Sequence, residues 1–250
     1  MSAIAIIPAR MGSSRFPGKP LAKINGVPMV EMVLKKVLKS KSIEKAIVAT
    51  CDKEIFDHIQ SIGGEVVMTS TRHDRASDRC NEALSKYEKK IKKKFDIVVM
   101  VQGDEPMVTG QMVDQSVSLI KKSKKINVVN LVCNINRKID YYDKNCVKVI
   151  CSKFNTAIVF SRSPIPYLKN FKKKIVKKQV CIIPFKRKFL KKYSSMTQTK
   201  MEKLESIDML RVIENGYQVH LVKIKKETFP VDTLKDLKKV SKILKNEKKN

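Results

Sequence analysis

Near the start of the chain the run Ala3-Ile4-Ala5-Ile6-Ile7 is apolar at every position. A strand with one wet face alternates apolar and polar residues, so an unbroken apolar run points to a parallel strand covered by helices on both sides. Lys45-Ala46-Ile47-Val48-Ala49-Thr50, apolar from Ala46 to Ala49, and Ile97-Val98-Val99-Met100-Val101 read as further buried strands. Among these runs apolar residues recur at helical spacing over Met29 to Lys39, Lys53 to Ile62 and Ser77 to Lys90, and Glu65-Val66-Val67-Met68 forms a further short strand. Asp52 stands where it can cap the second helix, and Gly63-Gly64 stands at that helix's end. The alternation predicts an α/β fold with a Rossmann-like, mostly parallel central sheet and right-handed crossovers.

The first strand leads into Pro8-Ala9-Arg10-Met11-Gly12-Ser13-Ser14-Arg15-Phe16-Pro17-Gly18-Lys19-Pro20-Leu21. This loop leaves the carboxyl end of a central strand, where open α/β sheets place their ligands. Its cations Arg10, Arg15 and Lys19 are spaced through small residues, a chemistry that suits a polyphosphate. It is neither of the two common phosphate loops. G-x-G-x-x-G is absent, five residues separate Gly12 from Gly18, and Pro20 follows Lys19. A basic surface turn held by Pro17 and Gly18 is the competing reading.

Gln102-Gly103-Asp104-Glu105-Pro106 follows the strand ending at Val101, and Phe229-Pro230-Val231-Asp232-Thr233 precedes a helical pattern. Asp104, just past a buried strand, is placed like a Mg²⁺ ligand and is equally suited to cap the next element, while Asp232 stands where it can cap the helix that follows it.

The second half is less regular. Asn127–Asn134, Val147–Ile150, Ala157–Phe160, Val180–Ile183 and Val219–Val222 read as strands, Ser163-Pro164-Ile165-Pro166 as a rigid loop, and Met201–Glu214 and Leu234–Leu244 as helices. They predict a smaller mixed sheet, an insertion over roughly 135–200 within a single domain spanning 1–250. No apolar run approaches the ~20 residues of a membrane span, and Arg10 comes too soon after the first strand for a signal peptide. The six cysteines lack C-x-x-C pairing. They read as reduced thiols of a cytoplasmic protein, with no zinc site. Net charge is +29, from 53 Lys+Arg against 24 Asp+Glu. Lys89-Lys90-Ile91-Lys92-Lys93-Lys94 and Lys172-Lys173-Lys174 invite a nucleic-acid partner, but the excess is dispersed lysine with no Trp and no aromatic interleaving. Solvated lysine faces that attract anionic substrates are the better reading. The tail from Lys238-Lys239 to Lys248-Lys249 reads as a frayed helix. His58, His73 and His220 are scattered and support no Ser/His/Asp arrangement.

The run Ile7 to Leu21 resembles the signature of the sugar-activating nucleotidyltransferases, specifically the 3-deoxy-manno-octulosonate cytidylyltransferase family. Acylneuraminate cytidylyltransferases share I-P-A-R-x-G-S but continue K-x-(I/L)-P-x-K-N, where this chain has Ser14-Arg15-Phe16-Pro17-Gly18-Lys19-Pro20-Leu21. The resemblance continues nearly to the end of the chain. It implies a Rossmann-like nucleotidyltransferase fold, a homodimer paired through the mixed sheet, and transfer of CMP from CTP to the anomeric hydroxyl of 3-deoxy-D-manno-octulosonate. Pyrophosphate is released, Mg²⁺ assists, and the product serves lipopolysaccharide biosynthesis.

By the same resemblance, Pro8, Ala9, Arg10, Gly12, Arg15, Lys19, Met68, Thr69, Ser70, Arg79 and Gln102 border the nucleotide, with Lys19, Arg15 and Asp104 catalytic. The Q-G-D-E-P and V-D-T segments imply Asp104 and Asp232 as metal ligands. Gln102, Arg162, Gln179, Glu205 and Asp208 fall to the sugar, with Arg162 forking onto its carboxylate. Lys19 is read as an exposed loop lysine that adds little to stability. Departures occur where the family has H-x-S-G-T-D-R and this chain has His73-Asp74-Arg75-Ala76-Ser77-Asp78-Arg79. Others fall where H-I-G-I-Y-A-Y-R becomes Gln179-Val180-Cys181-Ile182-Ile183-Pro184-Phe185-Lys186, which puts an apolar Ile183 wall beside the sugar. A different acid sugar, of the 8-amino-octulosonate or nonulosonate type, is therefore the alternative, and a lysine-rich nucleic-acid binder the distant one.

Overall fold

The strand β1 (Ala3–Pro8) is buried at every position because it has helices on both sides. Ala5 and Ile7 pack in one core with Val30, Val33, Val113 and Val117, while Ile4 and Ile6 face a second core with Cys80, Leu84, Phe189 and Tyr193. The computed structural model describes residues 1–13 and 15–247; Ser14 and 248–250, with Lys248 and Lys249 of the expected frayed tail, lie outside the described residues.

After β1 comes a 3-10 turn, Lys19–Leu21, and a short hairpin of β2 (Lys23–Ile24) and β3 (Val27–Pro28). The chain continues through α1 (Met29–Val37), β4 (Lys45–Thr50), α2 (Lys53–Ser61), β5 (Glu65–Met68), α3 (Ala76–Ile91), β6 (Ile97–Val101), α4 (Gly110–Lys122) and β7 (Val129–Asn134). Then follow α5 (Lys138–Tyr142), β8 (Lys148–Cys151), β9 (Ala157–Ser161), β10 (Lys177–Val180), β11 (Ile182–Lys186) and α6 (Arg187–Ser195). The last elements are α7 (Lys200–Glu205), α8 (Asp208–Glu214), β12 (His220–Lys223) and α9 (Leu234–Glu247).

The central sheet runs β11-β6-β1-β4-β5, all parallel except β11. The mixed sheet runs β12-β7-β10-β8-β9, with only β12 and β7 parallel. Its strands β8, β9 and β10 come from the expected insertion, whereas β7 and β12 lie outside 135–200 and β11 returns to the central sheet. Among the described residues no helix is long and apolar enough to cross a membrane.

Several local expectations are corrected. Val180–Ile183 is not one strand, because the chain changes sheets at Cys181. The Cys181 N–H donates to Glu105 Oε1 at 3.0 Å and its carbonyl accepts from the Gln102 N–H at 3.1 Å. Both groups are thus held by the loop after β6, and the strands on either side part. Met201–Glu214 is likewise two helices, broken where Ser206 adopts φ 55°. The α4 helix, unread in the sequence, starts at the Thr109 cap and needs Gly110. A Cβ there would lie 2.6 Å from the Lys39 carbonyl. Asp52 precedes α2 but makes no cap bond; its Oδ2 accepts from the Met11 N–H at 2.8 Å and ties down the cationic loop.

Candidate active site

The cationic loop folds back on itself. Gly18 takes φ 71°, a left-handed geometry that favours glycine, and donates its N–H to the Met11 carbonyl at 3.1 Å. Ser13 Oγ accepts from the Phe16 N–H at 3.3 Å. The turn delivers Lys19 to the floor of a cavity of about 370 Å³ at the carboxyl ends of β1 and β6. Pro8, Ala9, Gly12 and Gln102 also line it, although the Ala9 N–H is already donated to Ala49. Arg10 is exposed at the wall and has no hydrogen-bond partner among the described residues.

Two carboxylates meet the Lys19 ammonium. Gly103 lets the loop after β6 pass close to β1, since a Cβ there would sit 3.0 Å from the Pro8 carbonyl. The Val231 N–H then donates to the Asp104 carbonyl at 2.9 Å, bringing Asp232 alongside. Lys19 Nζ donates to Asp104 Oδ2 at 2.8 Å and to Asp232 Oδ1 at 3.3 Å, while Arg15 reaches Asp232 Oδ1 at 3.0 Å and also bonds Asn145. Burial opposes the Lys19 charge, but Asp104 and Asp232 outweigh it and hold the ammonium's pKa above its ordinary value. The Asp232 carboxyl is pushed up, first by burial and then by Asp104, against the pull of Lys19 and Arg15.

Lys19 is therefore not an exposed loop lysine: its side chain is 13% exposed. Lys19→Met leaves the two carboxylates facing each other and is expected to lower stability by about 1.5–3 kcal/mol, the range for hydrogen bonds to charged groups. Urea unfolding measures it. A loss under about 0.5 kcal/mol would return Lys19 to the surface class.

The donor set also suits a metal. Among the described residues no cluster of three or more His, Cys, Asp or Glu could hold an ion. Mg²⁺, however, takes only one or two carboxylates and completes its shell with phosphate and water. Asp104 and Asp232 already share one cation, the Lys19 ammonium, so their oxygens converge on a point where positive charge is accommodated.

Another part of the wall is organised by Arg79, which is 3% exposed and lines the cavity with His73, Asp74 and Arg75. Arg79 donates to Thr69 Oγ1 at 2.5 Å and to the Ser70 carbonyl at 3.3 Å, and Thr69 in turn donates to the Thr50 carbonyl. Met68, Thr69 and Ser70 do not themselves line the cavity. Glu82, which no sequence signal marked, accepts from the Ser70 N–H at 2.9 Å and is bonded to His73. Partial burial opposes its charge, yet Lys86, the Ser70 N–H and His73 outweigh that and draw the carboxyl from 4.5 to about 2. A depressed carboxyl contributes stability above its unfolded pKa and loses it as pH falls toward the folded one. Between pH 6 and pH 3 the wild type should thus lose more unfolding free energy than Glu82→Gln. Parallel urea titrations check this, and equal losses would contradict it.

The comparisons with known proteins bear on this arrangement. The model of a family described as cytidylyltransferase matches residues 4–228. The 3-deoxy-manno-octulosonate cytidylyltransferase of Thermodesulfovibrio yellowstonii is 35% identical over 252 residues, covering 98% of each chain. The chain belongs to the cytidylyltransferase family. A CMP:2-keto-3-deoxy-manno-octonic acid synthetase solved in complex with CTP superposes with TM-score 0.88 at 32% identity, over 99% of this chain and 100% of that one. A cytidylyltransferase from Leptospira borgpetersenii, 19% identical over 98% of this chain and 87% of that chain with TM-score 0.63, shares the fold.

In this cytidylyltransferase the residues expected at the sugar are only partly gathered. Arg162 and Asp208 line the cavity with Arg75 and Ser206. The Arg162 guanidinium, expected to fork onto a sugar carboxylate, instead donates to the carbonyls of Glu205 at 2.6 Å, Lys144 at 3.0 Å and Ser206 at 3.3 Å. Glu205 is not in the wall. Its carboxylate accepts from Ser161 Oγ at 2.6 Å and the Arg162 N–H at 2.8 Å, fixing the end of β9. Asp208 accepts from Ser77 Oγ at 3.0 Å. Gln179 lies outside the cavity, in the middle strand of the mixed sheet, and donates to Asn130 Oδ1 at 2.7 Å. Ile183 presents no wall to a ligand, because β11 turns it into the core with Phe185 and Tyr193. Arg75, visible in the sequence only as a departure from the family pattern, donates to Ser206 Oγ at 3.0 Å.

Proposed function

We propose that this cytidylyltransferase transfers CMP from CTP to the anomeric hydroxyl of 3-deoxy-D-manno-octulosonate, releasing pyrophosphate and supplying lipopolysaccharide biosynthesis. The observation that carries the reading is Lys19 held between Asp104 and Asp232 in a cavity that Arg10 and Arg15 also line, in a chain with full-length similarity to octulosonate cytidylyltransferases. Arg10, Arg15 and Lys19 bind the triphosphate, Lys19 exchanging carboxylate for phosphate oxygens as CTP enters. Their charge opposes the negative charge that spreads over the phosphoryl oxygens during in-line attack. Asp104 and Asp232 would hold Mg²⁺, which when bound supplies Lewis acidity toward the α-phosphate and lowers the pKa of the attacking hydroxyl. Gln102 and Asp208 border the acceptor, and Arg75 and Arg162 favour an anionic one by their charge.

We also propose a cytoplasmic homodimer. The cysteines Cys51, Cys80, Cys133, Cys146, Cys151 and Cys181 are free thiols, in keeping with a reducing compartment. The mixed sheet ends in β9, where Ile158 and nearby Phe154 are exposed, a surface of the kind subunits cover. The departures at Gln179 and Ile183 lie away from the cavity, so they give no reason to change the sugar. Pyrophosphate release from each NTP, paired with 3-deoxy-manno-octulosonate, its 8-amino analogue and N-acetylneuraminate, tests the assignment. CTP with the octulosonate should be preferred; preference for the nine-carbon acid would overturn it.

A further inference from the structure

Lys148 opens β8 and is fully buried, at 0% exposure. Among the described residues it makes no ion pair. Its ammonium donates instead to the carbonyls of Cys146 and Arg162, each at 2.6 Å, and of Asp143 at 2.8 Å. An ammonium has three donors, and here all are satisfied, which is the condition for burying one. Burial nonetheless pushes its pKa down. A charge kept in so unfavourable a place, with only backbone as partner, calls for an account of what it holds.

The three carbonyls belong to two segments tied to arginines that line the cavity. One is the turn 143–146, closed by the Cys146 N–H on the Asp143 carbonyl at 3.1 Å and the Asn145 N–H on Asp143 Oδ1 at 2.8 Å. The other is the end of β9 at Arg162. From the turn, Asn145 bonds Arg15 and the Lys144 carbonyl accepts from Arg162 at 3.0 Å. Arg15 and Arg162 come from distant parts of the chain, yet both are braced on the one turn that Lys148 gathers.

We propose that Lys148 is a positioning residue that clamps the turn 143–146 to the end of β9 and thereby sets Arg15 and Arg162 in the cavity. The inference rests on the reading above, in which those arginines face CTP and an acid sugar. Without the ammonium the turn's carbonyls lose their common donor. Arg15 then keeps only Asp232, and Arg162 loses its bond to Lys144. Both must be reordered at the moment of binding, which weakens affinity without removing any ligand contact.

The test compares wild type, Lys148→Met, Asn145→Ala and the double variant. CTP affinity is read by calorimetry, and KM for CTP and for the octulosonate by pyrophosphate release, each per folded molecule. Lys148→Met should raise the CTP Kd and both KM values about fivefold or more. Asn145→Ala should raise the CTP values but leave the sugar KM within about twofold. For CTP the double variant should be no worse than Lys148→Met alone, because the two act in series. Folded Lys148→Met with unchanged Kd and KM values, or CTP effects that multiply, would overturn the proposal. If Lys148→Met does not fold, Asn145→Ala at the accessible end of the same chain of contacts decides: an unchanged CTP Kd overturns it, and a weakened one supports it. A wild type that binds CTP but turns over no acid sugar would refute the functional reading and leave the calorimetric test of Lys148 intact.

Discussion

Asp104→Asn is expected to cut turnover by about a hundredfold or more while leaving metal-free CTP binding no weaker than wild type. The two signs come from one geometry. Asp104 Oδ2 lies 2.8 Å from the Lys19 ammonium at the floor of the cavity, with Asp232 sharing the same cation. In the reaction these carboxylates would hold Mg²⁺ at the phosphate, and loss of a preorganised electrostatic contact in a transition state costs on the order of 10²–10³ in rate. Toward CTP alone, however, Asp104 is an anion facing an anion and a competitor for Lys19. Neutralising it removes repulsion and frees the lysine for phosphate. Steady-state kinetics at saturating Mg²⁺ together with calorimetry in chelator measure the two effects. Near wild-type turnover would remove Asp104 from the metal site, and a large loss of metal-free affinity would make it a nucleotide contact instead.

The largest effect on stability is expected far from the chemistry, at Arg211. Its guanidinium, 2% exposed, forks onto Glu202, 0% exposed, with Nε to Oε2 at 2.7 Å and Nη2 to Oε1 at 2.6 Å. It also covers the Tyr193 ring at 4.3 Å. Glu202 Oε2 also accepts from the Thr199 N–H at 3.3 Å at the start of α7, and Arg75 of the cavity wall lies 3.8 Å from its Oε1. Arg211→Met leaves a carboxylate buried without its partner, which costs about 3–5 kcal/mol. For a chain of this size that corresponds to a fall in Tm of roughly 6–20 °C. The double variant Arg211→Met with Glu202→Leu should recover much of the loss, because replacing both charges removes the uncompensated one. Thermal and urea unfolding of the single and double variants give the values. A single variant within about 1 kcal/mol of wild type would mean that water or relaxation satisfies Glu202.

The sequence by itself determined the four parallel strands of the central sheet and the main chemical groups, but not the antiparallel edge strand β11. Ala3–Ile7, Lys45–Thr50 and Ile97–Val101 could be read because a strand with helices on both sides is apolar along its core, a signal that is local. The cations of the loop after β1 and the carboxylates of Gln102–Pro106 and Val231–Thr233 were equally legible, since each is a short motif at a strand end. Tertiary structure decided the partners. Lys19 meets Asp104 and Asp232 across separations of 85 and 213 residues, and that pairing turned an expected exposed lysine into a partly buried bridge. Cys181 leaves the strand pattern because Glu105, 76 residues away, takes its N–H, and Arg162 turns its fork onto the Glu205 and Ser206 carbonyls where two helices meet. Periodicity reports how deeply a residue is buried, because burial repeats with the helix or strand. It carries no record of which distant donor or acceptor will satisfy a buried polar group, and that choice is made only when the segments pack.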